Sequence, residues 1–471
     1  MSLHGRQVIK TDQSDVTRDN VIQILTSALF LHWQNSADIQ YLWDYYRGIQ
    51  PILGRVKPVR PEINNKIVEN RAFEIVSFKT GFLLYNPIVY VGENTEAINL
   101  LNSYMKSEEK AYKDKELVDW FHIAGTAYRM VLPDSEERDD APFEISTLDP
   151  RTTFVIYHNG LGNKPVLGVT YVTDAIGDNH YYCYSKDTFY EIVGNDIVVE
   201  RPHILRDIPI VEYPLNEARL GSFEIVLPLL DAINLTDSNR MDGLEQFIQS
   251  LLLLHNVDMS DEDFANLVSL GGLKFTDQDP QLKGEVRYLT NVLNQGEIET
   301  MVDHQYDVVL TICGMPNRNG GTSTSDTGIA VQYRDGWTAA ETRAQDTELI
   351  FKRSETRFLK LVLNICRSLA DVHLSAGDVE IRFTRRNYEN ILEKAQVLTM
   401  MLDNEKVHPQ LAFEHSGMFT DPDLAYTMSE EYYESTAHTG DAAEDDANDS
   451  GPASEGEPSG DPDRAGEDNG R

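Results

Sequence analysis

Cysteine is scarce in this sequence. Cys183, Cys313 and Cys366 are the only three in 471 residues, and none has a second cysteine at the spacing of a metal knuckle or a redox pair. That excludes a disulfide framework and fits a reducing compartment. Long apolar runs are missing too. The densest, Leu251 to Leu254, falls far short of the about 20 residues a membrane span needs, and Met1 to Asp15 lacks the basic stretch and apolar core of a signal peptide. The chain is expected neither to enter a bilayer nor to be secreted by that route. Positive charge is also in deficit: 41 Lys and Arg face 77 Asp and Glu, a formal net charge of -36. A protein that holds nucleic acid tightly by neutralising phosphates would carry the opposite balance. Eleven acidic and two basic residues fall between Thr436 and Arg471, a net of -9, so the rest of the chain still carries -27. The acidity belongs to the folded part.

Catalytic constellations are absent as well. Gly160-Leu-Gly-Asn-Lys164 lacks the glycine spacing and the Lys-Ser/Thr ending of a phosphate-cradling loop, and Pro165 breaks any helix there. No His pair stands at helical spacing with a Glu, and the acidic run Asp134 to Asp140 reads as a solvated turn. Asp258, Asp261 and Glu262 read as an acidic helix N-terminus rather than a divalent-ion site. Asp303 and His304 are adjacent on a helical pattern and so face different directions. No catalytic residue, metal or cofactor is expected.

What the sequence has is length and periodicity. Ile298, Met301, Val302, Val309 and Ile312 recur at three- and four-residue steps, the mark of an amphipathic helix over 297–314 that Gly314 and Pro316 stop. Asn317 to Asp326 is too polar and Gly-rich to pack, so an exposed loop is expected over 315–328. From Gly328 onward Tyr333, Trp337, Ala340, Ala344, Phe351, Phe358, Leu361, Ile365 and Leu369 keep a near-heptad stripe, predicting a helix of about 60 Å. A first strut of the same kind is written from Phe223 to Val257. Apolar faces on such struts are expected to be covered by other copies of the chain, in head-to-tail contacts that close as a ring.

Taken in order, residues 1–20 are polar and expected to be loose. Helices are predicted at Val21–His32 and Asp38–Arg47, a proline-rich connector at Pro51–Pro61, and a helical stretch at 95–122. From Thr126 to Tyr213 the period becomes two. Strands are predicted at Ala127–Val131, Phe143–Ser146, Thr153–Tyr157, Val166–Val172, His180–Tyr184, Thr188–Ile192 and Ile197–Val199, divided by turn dipeptides such as Asn159-Gly160 and Gly194-Asn195. Between the struts, Asp258–Gln295 is a turn-rich insert with strand-like Leu273–Thr276 and Val286–Leu289. A strand at Val379–Phe383 and helices at Asn387–Leu402, Pro409–His415 and Pro422–Glu434 follow. Thr436–Arg471, without an aromatic, is expected to be disordered.

The succession Asp44-Tyr-Tyr-Arg-Gly48, Asn64-Asn-Lys-Ile-Val68, Asn70, Lys79-Thr-Gly-Phe-Leu-Leu84 and Asn86-Pro-Ile88 resembles, in order and spacing, the N-terminal region of portal proteins of long-tailed bacteriophages of the siphophage type. The resemblance resumes at Ile208-Pro-Ile-Val-Glu212 and Gly221–Asn234 and spans about residues 40 to 420. Glu69 and Tyr85 depart from it, standing where the family usually has an apolar residue and Gly. The resemblance implies an α+β portal fold: a wing over 21–222, a stem of 223–257 and 297–314, a small α/β clip at 258–296, a tunnel loop at 315–328, a long helix over 329–378 leading to a helical crown at 379–435, and the acidic tail. It implies a head-tail connector in the virion at one capsid vertex, assembled in the host cytoplasm, a homododecamer with a channel for packaging and ejecting double-stranded DNA. Its partners would be the terminase large subunit, major capsid and scaffolding proteins, head-completion and adaptor proteins, and transient, sequence-independent double-stranded DNA. By the same resemblance Asn317, Arg318, Asn319, Gly320, Gly321, Thr322, Ser323 and Thr324 line the channel. Arg318 there either touches phosphate or pairs with a neighbouring subunit. Lys274, Lys283 and Arg287 either face DNA at the clip or balance Asp277, Asp279 and Glu285. Trp337, Phe351, Phe358 and Leu361 serve subunit packing or plain core. Two other classes remain open on sequence: a metal-dependent nucleic-acid-processing enzyme with its site in the β region, and a structural scaffold without a channel.

Overall fold

The computed structural model describes residues 5–444 apart from 59, 135–140, 249–250, 256–259, 264, 266–271, 276–284, 290–294, 318–335, 371, 385–390 and 420–421. Contacts divide the chain into two units, Met1–Asn387 and Tyr388–Arg471.

The first unit opens with β1 (Ile9–Thr11) and α1 (Val21–Tyr46), one 26-residue helix where the sequence predicts two. The polar stretch at its middle stays helical because tertiary partners take up its side chains. Asn35 bonds the Gln7 backbone in both directions, at 3.0 and 2.9 Å, and the Ser36 hydroxyl donates to the Arg151 carbonyl at 2.8 Å. The N-terminal residues, expected to be loose, are tied down: Arg6 forms a buried ion pair with Glu224 at 2.6 Å, and Ile9 is buried.

A 3-10 turn at Pro51–Gly54 stands within the proline-rich connector, then α2 (Arg71–Leu83) begins behind Asn70, whose side chain accepts from the Phe73 N–H. After β2 (Val89–Val91), the stretch predicted as one helix is two, α3 (Thr95–Ser107) and α4 (Lys110–Ala124), separated at Glu109, whose φ of 51° no helix interior accepts.

The change to period two at Thr126 yields every predicted strand: β3 (Thr126–Pro133), β4 (Phe143–Leu148), β5 (Thr153–His158), β6 (Pro165–Thr173), β7 (Asn179–Tyr184), β8 (Thr188–Val193) and β9 (Asp196–Pro202), with β10 (Ile210–Pro214) after them. They form a six-stranded sheet, β1-β5-β6-β7-β8-β9, and a three-stranded sheet, β10-β3-β4. Pairing is antiparallel except between β1 and β5. Val21, Ile24, Leu25 and Ala28 of α1 pack on Phe154, Ile156, Leu167 and Val169 of the larger sheet. Gly168 lets the two sheets approach, since a Cβ there would lie 3.0 Å from Cβ of Ile210 on β10.

The first strut is shorter than predicted. After a 3-10 turn at Glu224–Val226, α5 (Leu227–Ile248) ends, and Leu251–His255 is β11, between a parallel β12 (Gly272–Phe275) and an antiparallel β13 (Glu285–Leu289). A run of four leucines carries no period of its own, and pairing on both sides satisfies its backbone. The second strut, α6 (Gln295–Cys313), keeps its predicted bounds within two residues. The long helix α7 (Trp337–Leu369) has 33 residues, about 50 Å at 1.5 Å per residue; residues 328–335 of the predicted helix lie outside the described residues. β14 (Glu380–Arg382) pairs antiparallel with β2, so the strand expected to open the crown completes the first unit.

The second unit holds α8 (Ile391–Leu402), α9 (Pro409–Ser416) and α10 (Pro422–Glu444). The last runs nine residues into the segment expected to be disordered; residues 445–471 lie outside the described residues.

Candidate functional site

The two struts lie antiparallel. Arg240 meets Glu299 at 3.2 Å toward one end, and Leu230 and Ile233 share a buried cluster with Val309 and Leu310 toward the other. The buried face of α6 is Val309, Leu310 and Cys313, with Val302 and Tyr306 partly buried beside it. Met301 and Ile312 of the predicted stripe are exposed, so that face is rotated from the one read in the sequence.

Residues 64–70, the densest part of the N-terminal motif, belong to no helix or sheet. Their backbone is satisfied by α5 instead. The N–H groups of Asn65, Ile67 and Glu69 donate to Asp242 Oδ1 at 2.7 Å, Ser238 Oγ at 2.9 Å and Asn234 Oδ1 at 2.8 Å. Alternate residues of an extended chain advance about 6.6 Å and four helical residues about 6.0 Å, so the two ladders stay in step. Arg55 and Lys57 close on Asp242 at 3.1 and 2.9 Å.

The second strut ends at Gly314, with φ 63°, and the Lys79 ammonium donates to the Cys313 carbonyl at 2.8 Å. Met315 is buried, and the Asn317 amide donates to Asp307 Oδ1 at 2.9 Å. On the far side α7 begins at Gly336, with φ 82°, where a Cβ would lie 3.7 Å from the Pro316 Cα. The chain thus leaves and returns at one place, and everything between is an excursion from a closed neck. Asn317 stands at its rim. Arg318, Asn319, Gly320, Gly321, Thr322, Ser323 and Thr324 lie outside the described residues, as does Lys283. Lys274 and Arg287 sit on β12 and β13 opposite Leu254 and Leu253, consecutive positions of β11.

The subunit-packing assignment needs correcting. Phe351, Phe358 and Leu361 are 0%, 0% and 1% exposed within a single chain, in the cluster that α7 shares with α4, β3 and β10. They are intrachain core, unavailable to a neighbour. Trp337, at the start of α7, is half-buried with its ring 6.2 Å from Phe78 and 6.4 Å from Phe82.

Beneath that stripe lies a network that sequence reading missed. Glu355 of α7 meets Lys110 at 2.9 Å and Arg129 at 3.4 Å and accepts from the phenols of Tyr90 and Tyr213, each at 2.7 Å. Asp114 takes the other side of Lys110, at 2.7 Å, and of Arg129. Two cations and two carboxylates, none more than 3% exposed, balance one another. Burial alone would raise the Glu355 carboxyl, but Lys110 and Arg129 outweigh it and hold it at about 2. The spacing of Lys110 and Asp114 matches an ordinary surface pair, so the sequence gives no signal that both are interior.

Among the described residues, burial shifts the titration of several groups that could carry chemistry. Burial pushes the Cys313 and Cys366 thiols up to about 11 and about 12, away from nucleophilic thiolates. It pulls His32 down to about 4. Asp303 and His304 are both exposed, as are Asp261 and Glu262; Asp258 lies outside the described residues. The Gly160–Lys164 run is the turn between β5 and β6, closed by the His158 N–H on the Lys164 carbonyl at 2.7 Å. No group of three or more His, Cys, Asp or Glu among the described residues is placed to hold a metal, and no described helix is long and apolar enough to cross a membrane.

Comparison with known proteins agrees with the N-terminal motif. The family model described as "Phage portal protein, SPP1 Gp6-like" matches residues 31–444. No curated protein matches. Among solved structures, a chain from "Neck of empty GTA particle computed with C6 symmetry" aligns with 10% identity and a TM-score of 0.43, covering 74% of this chain and 90% of that one; at that level it carries no functional inference. With the family match spanning both struts, the neck, the long helix and the second unit, the chain belongs to the phage portal protein family.

Proposed function

We propose that this chain forms the portal ring at one capsid vertex, a dodecamer through which double-stranded DNA is packaged and later ejected, and on which the terminase large subunit and head-completion proteins dock. The family match over residues 31–444 carries the reading. The family is structural and non-enzymatic, and its members form rings associated with the capsid. The neck at Pro316 and Gly336 supports a channel role for the segment between, because a loop rooted in two helices can reach into a lumen without loosening the wall. A net charge of -36 also suits a conduit. Every retained phosphate contact adds friction to a sliding duplex, and an acidic wall avoids such contacts.

The test is direct. Purified protein should elute as a large ring with an open axial pore in negative-stain images, should retain terminase large subunit in pull-down, and should show neither nuclease nor ATPase activity alone. A monomer that cuts DNA with magnesium, or a ring closed on its axis, would overturn the proposal.

A further inference from the structure

Where the second strut ends, a small cavity of about 20 Å³ lies among α2, α4, the Gly314 turn and α7. That is room for one water-sized species. Phe78, Phe82 and Ala344 give it apolar walls, and its polar lining comes from Lys79, His122, Arg343 and Thr347.

Three features of that lining point one way. Neither Lys79 nor Arg343 has a carboxylate partner among the described residues, in a chain where acids outnumber bases by 77 to 41. Lys79 is half-buried, with the Cys313 carbonyl as its neutral partner at 2.8 Å. Burial lowers its ammonium pKa; the Cys313 thiol opposes that fall and Arg343 adds to it. His122 is 2% exposed and its Nε2 has no hydrogen-bond partner, while its Nδ1 lies 2.8 Å from Ser222 Oγ. If Ser222 donates to Nδ1, the imidazole is the Nε2–H tautomer, a third donor on a residue that lines the same space. Arg343 stands in the second turn of α7, where the helix has no acidic residue in its first turn and its N-terminal end is already positive. The Arg343 side chain is held over Gly314, since a Cβ on that glycine would lie 2.7 Å from Arg343 Cγ and 3.4 Å from Nε.

We propose that this cavity binds one small anion of the halide class, held by the Lys79 ammonium, the Arg343 guanidinium and the His122 Nε2–H. Room for one water-sized species suits a small spherical anion better than a phosphate. The anion supplies a countercharge to Lys79 and joins α2, α4 and α7 where the second strut ends. The inference is independent of any role in DNA transport.

Thermal melting of the full chain in sodium chloride and in sodium gluconate at matched ionic strength tests it. The wild type should melt higher in chloride with a saturable dependence, and Arg343→Gln, an exposed and foldable change, should raise the half-saturating concentration about tenfold or more. Lys79→Gln should do the same. Crystals grown in bromide should show an anomalous peak between Lys79 and His122. Equal melting in the two salts, a chloride response unchanged in both variants, or a cavity with water and no bromide would each overturn the site.

Discussion

The backbone N–H of Glu69 donates to the side-chain oxygen of Asn234 at 2.8 Å, tying the N-terminal motif to the first strut. Asn234 is fully buried, and its amide nitrogen donates in turn to Gln50 Oε1. The Glu69 carboxylate pairs with Arg71, whose guanidinium lies 3.8 Å from the ring centroid of Tyr306 on α6. The Glu69 side chain therefore helps hold the second strut as well.

Replacing Asn234 by Leu removes both bonds and leaves the Glu69 N–H and the Gln50 carbonyl without partners. The expected loss is about 1–3 kcal/mol for each stranded group. Urea unfolding followed by circular dichroism should show a lower midpoint. Asn234→Asp keeps the acceptor for Glu69 but sets a buried carboxylate against Gln50 Oε1, so its midpoint should also fall below that of wild type. Equal midpoints in all three would mean that the rung contributes nothing.

Glu355 makes stability depend on acid. Its folded carboxyl sits at about 2, below an unfolded value of about 4.3, so its contribution is complete above about pH 5 and is lost as pH falls from there toward 2. Glu355→Gln should flatten that part of the stability profile. It should also cost about 3–5 kcal/mol at neutral pH, because it removes one carboxylate from a buried ion network. Stability measured against pH in both proteins decides it, and parallel slopes between pH 5 and 3 would refute it.

How much of this could be read beforehand depends on whether a segment's partners are local. The seven strands from Ala127 to Val199 were legible because turn dipeptides bound each one and alternation fills it. The middle of α1 was not, since Asn35 and Ser36 stay helical through bonds to Gln7 and Arg151, far away in sequence. Leu251–His255 read as helix because four leucines fit either period, and only pairing with β12 and β13 decides. At the site, the end of the second strut was legible from Gly314 and Pro316, but the return at Gly336 beside Pro316 was not, because it joins residues 20 apart. The ion network was not, because burial of Lys110, Asp114 and Arg129 is a property of packing that spacing does not encode.

Phe358 separates a core role from an assembly role. As it is fully buried within one chain, Phe358→Asp strands a charge at a cost of several kcal/mol and should remove folded protein altogether. Soluble, cooperatively melting monomers would show instead that the residue faces a neighbour.

The acidic C-terminus should be dispensable for assembly. After Thr436 there is no Val, Ile, Leu, Met or aromatic residue. Removing residues 445–471 leaves α10 whole, and ring yield on size exclusion should equal that of the full chain. A truncation after Ser435 also removes the last nine residues of that helix, so a defect confined to the longer cut would place the requirement in α10.

The segment between Asn317 and Gly336 can be shortened without disturbing the two helices that anchor it. Because its two ends meet beside Pro316, shortening it does not pull α6 and α7 apart, and deletion of Asn319 to Thr322 should leave rings at wild-type yield. If it lines the channel, the deletion should change the length of DNA packaged or retained in assembled particles. Arg318 is the sharper probe. Arg318→Gln removes a positive charge facing phosphate, while Arg318→Glu also adds repulsion, so packaging should fall further in the second variant, and the gap should narrow as salt screens the charges over about 10 Å at 0.1 M. A salt bridge to a neighbouring subunit predicts otherwise: both variants would lower ring yield before any DNA is present. Measuring ring yield first and packaged length second, at matched yield, separates the two. Wild-type packaging in both the deletion and Arg318→Glu would place the excursion outside the channel.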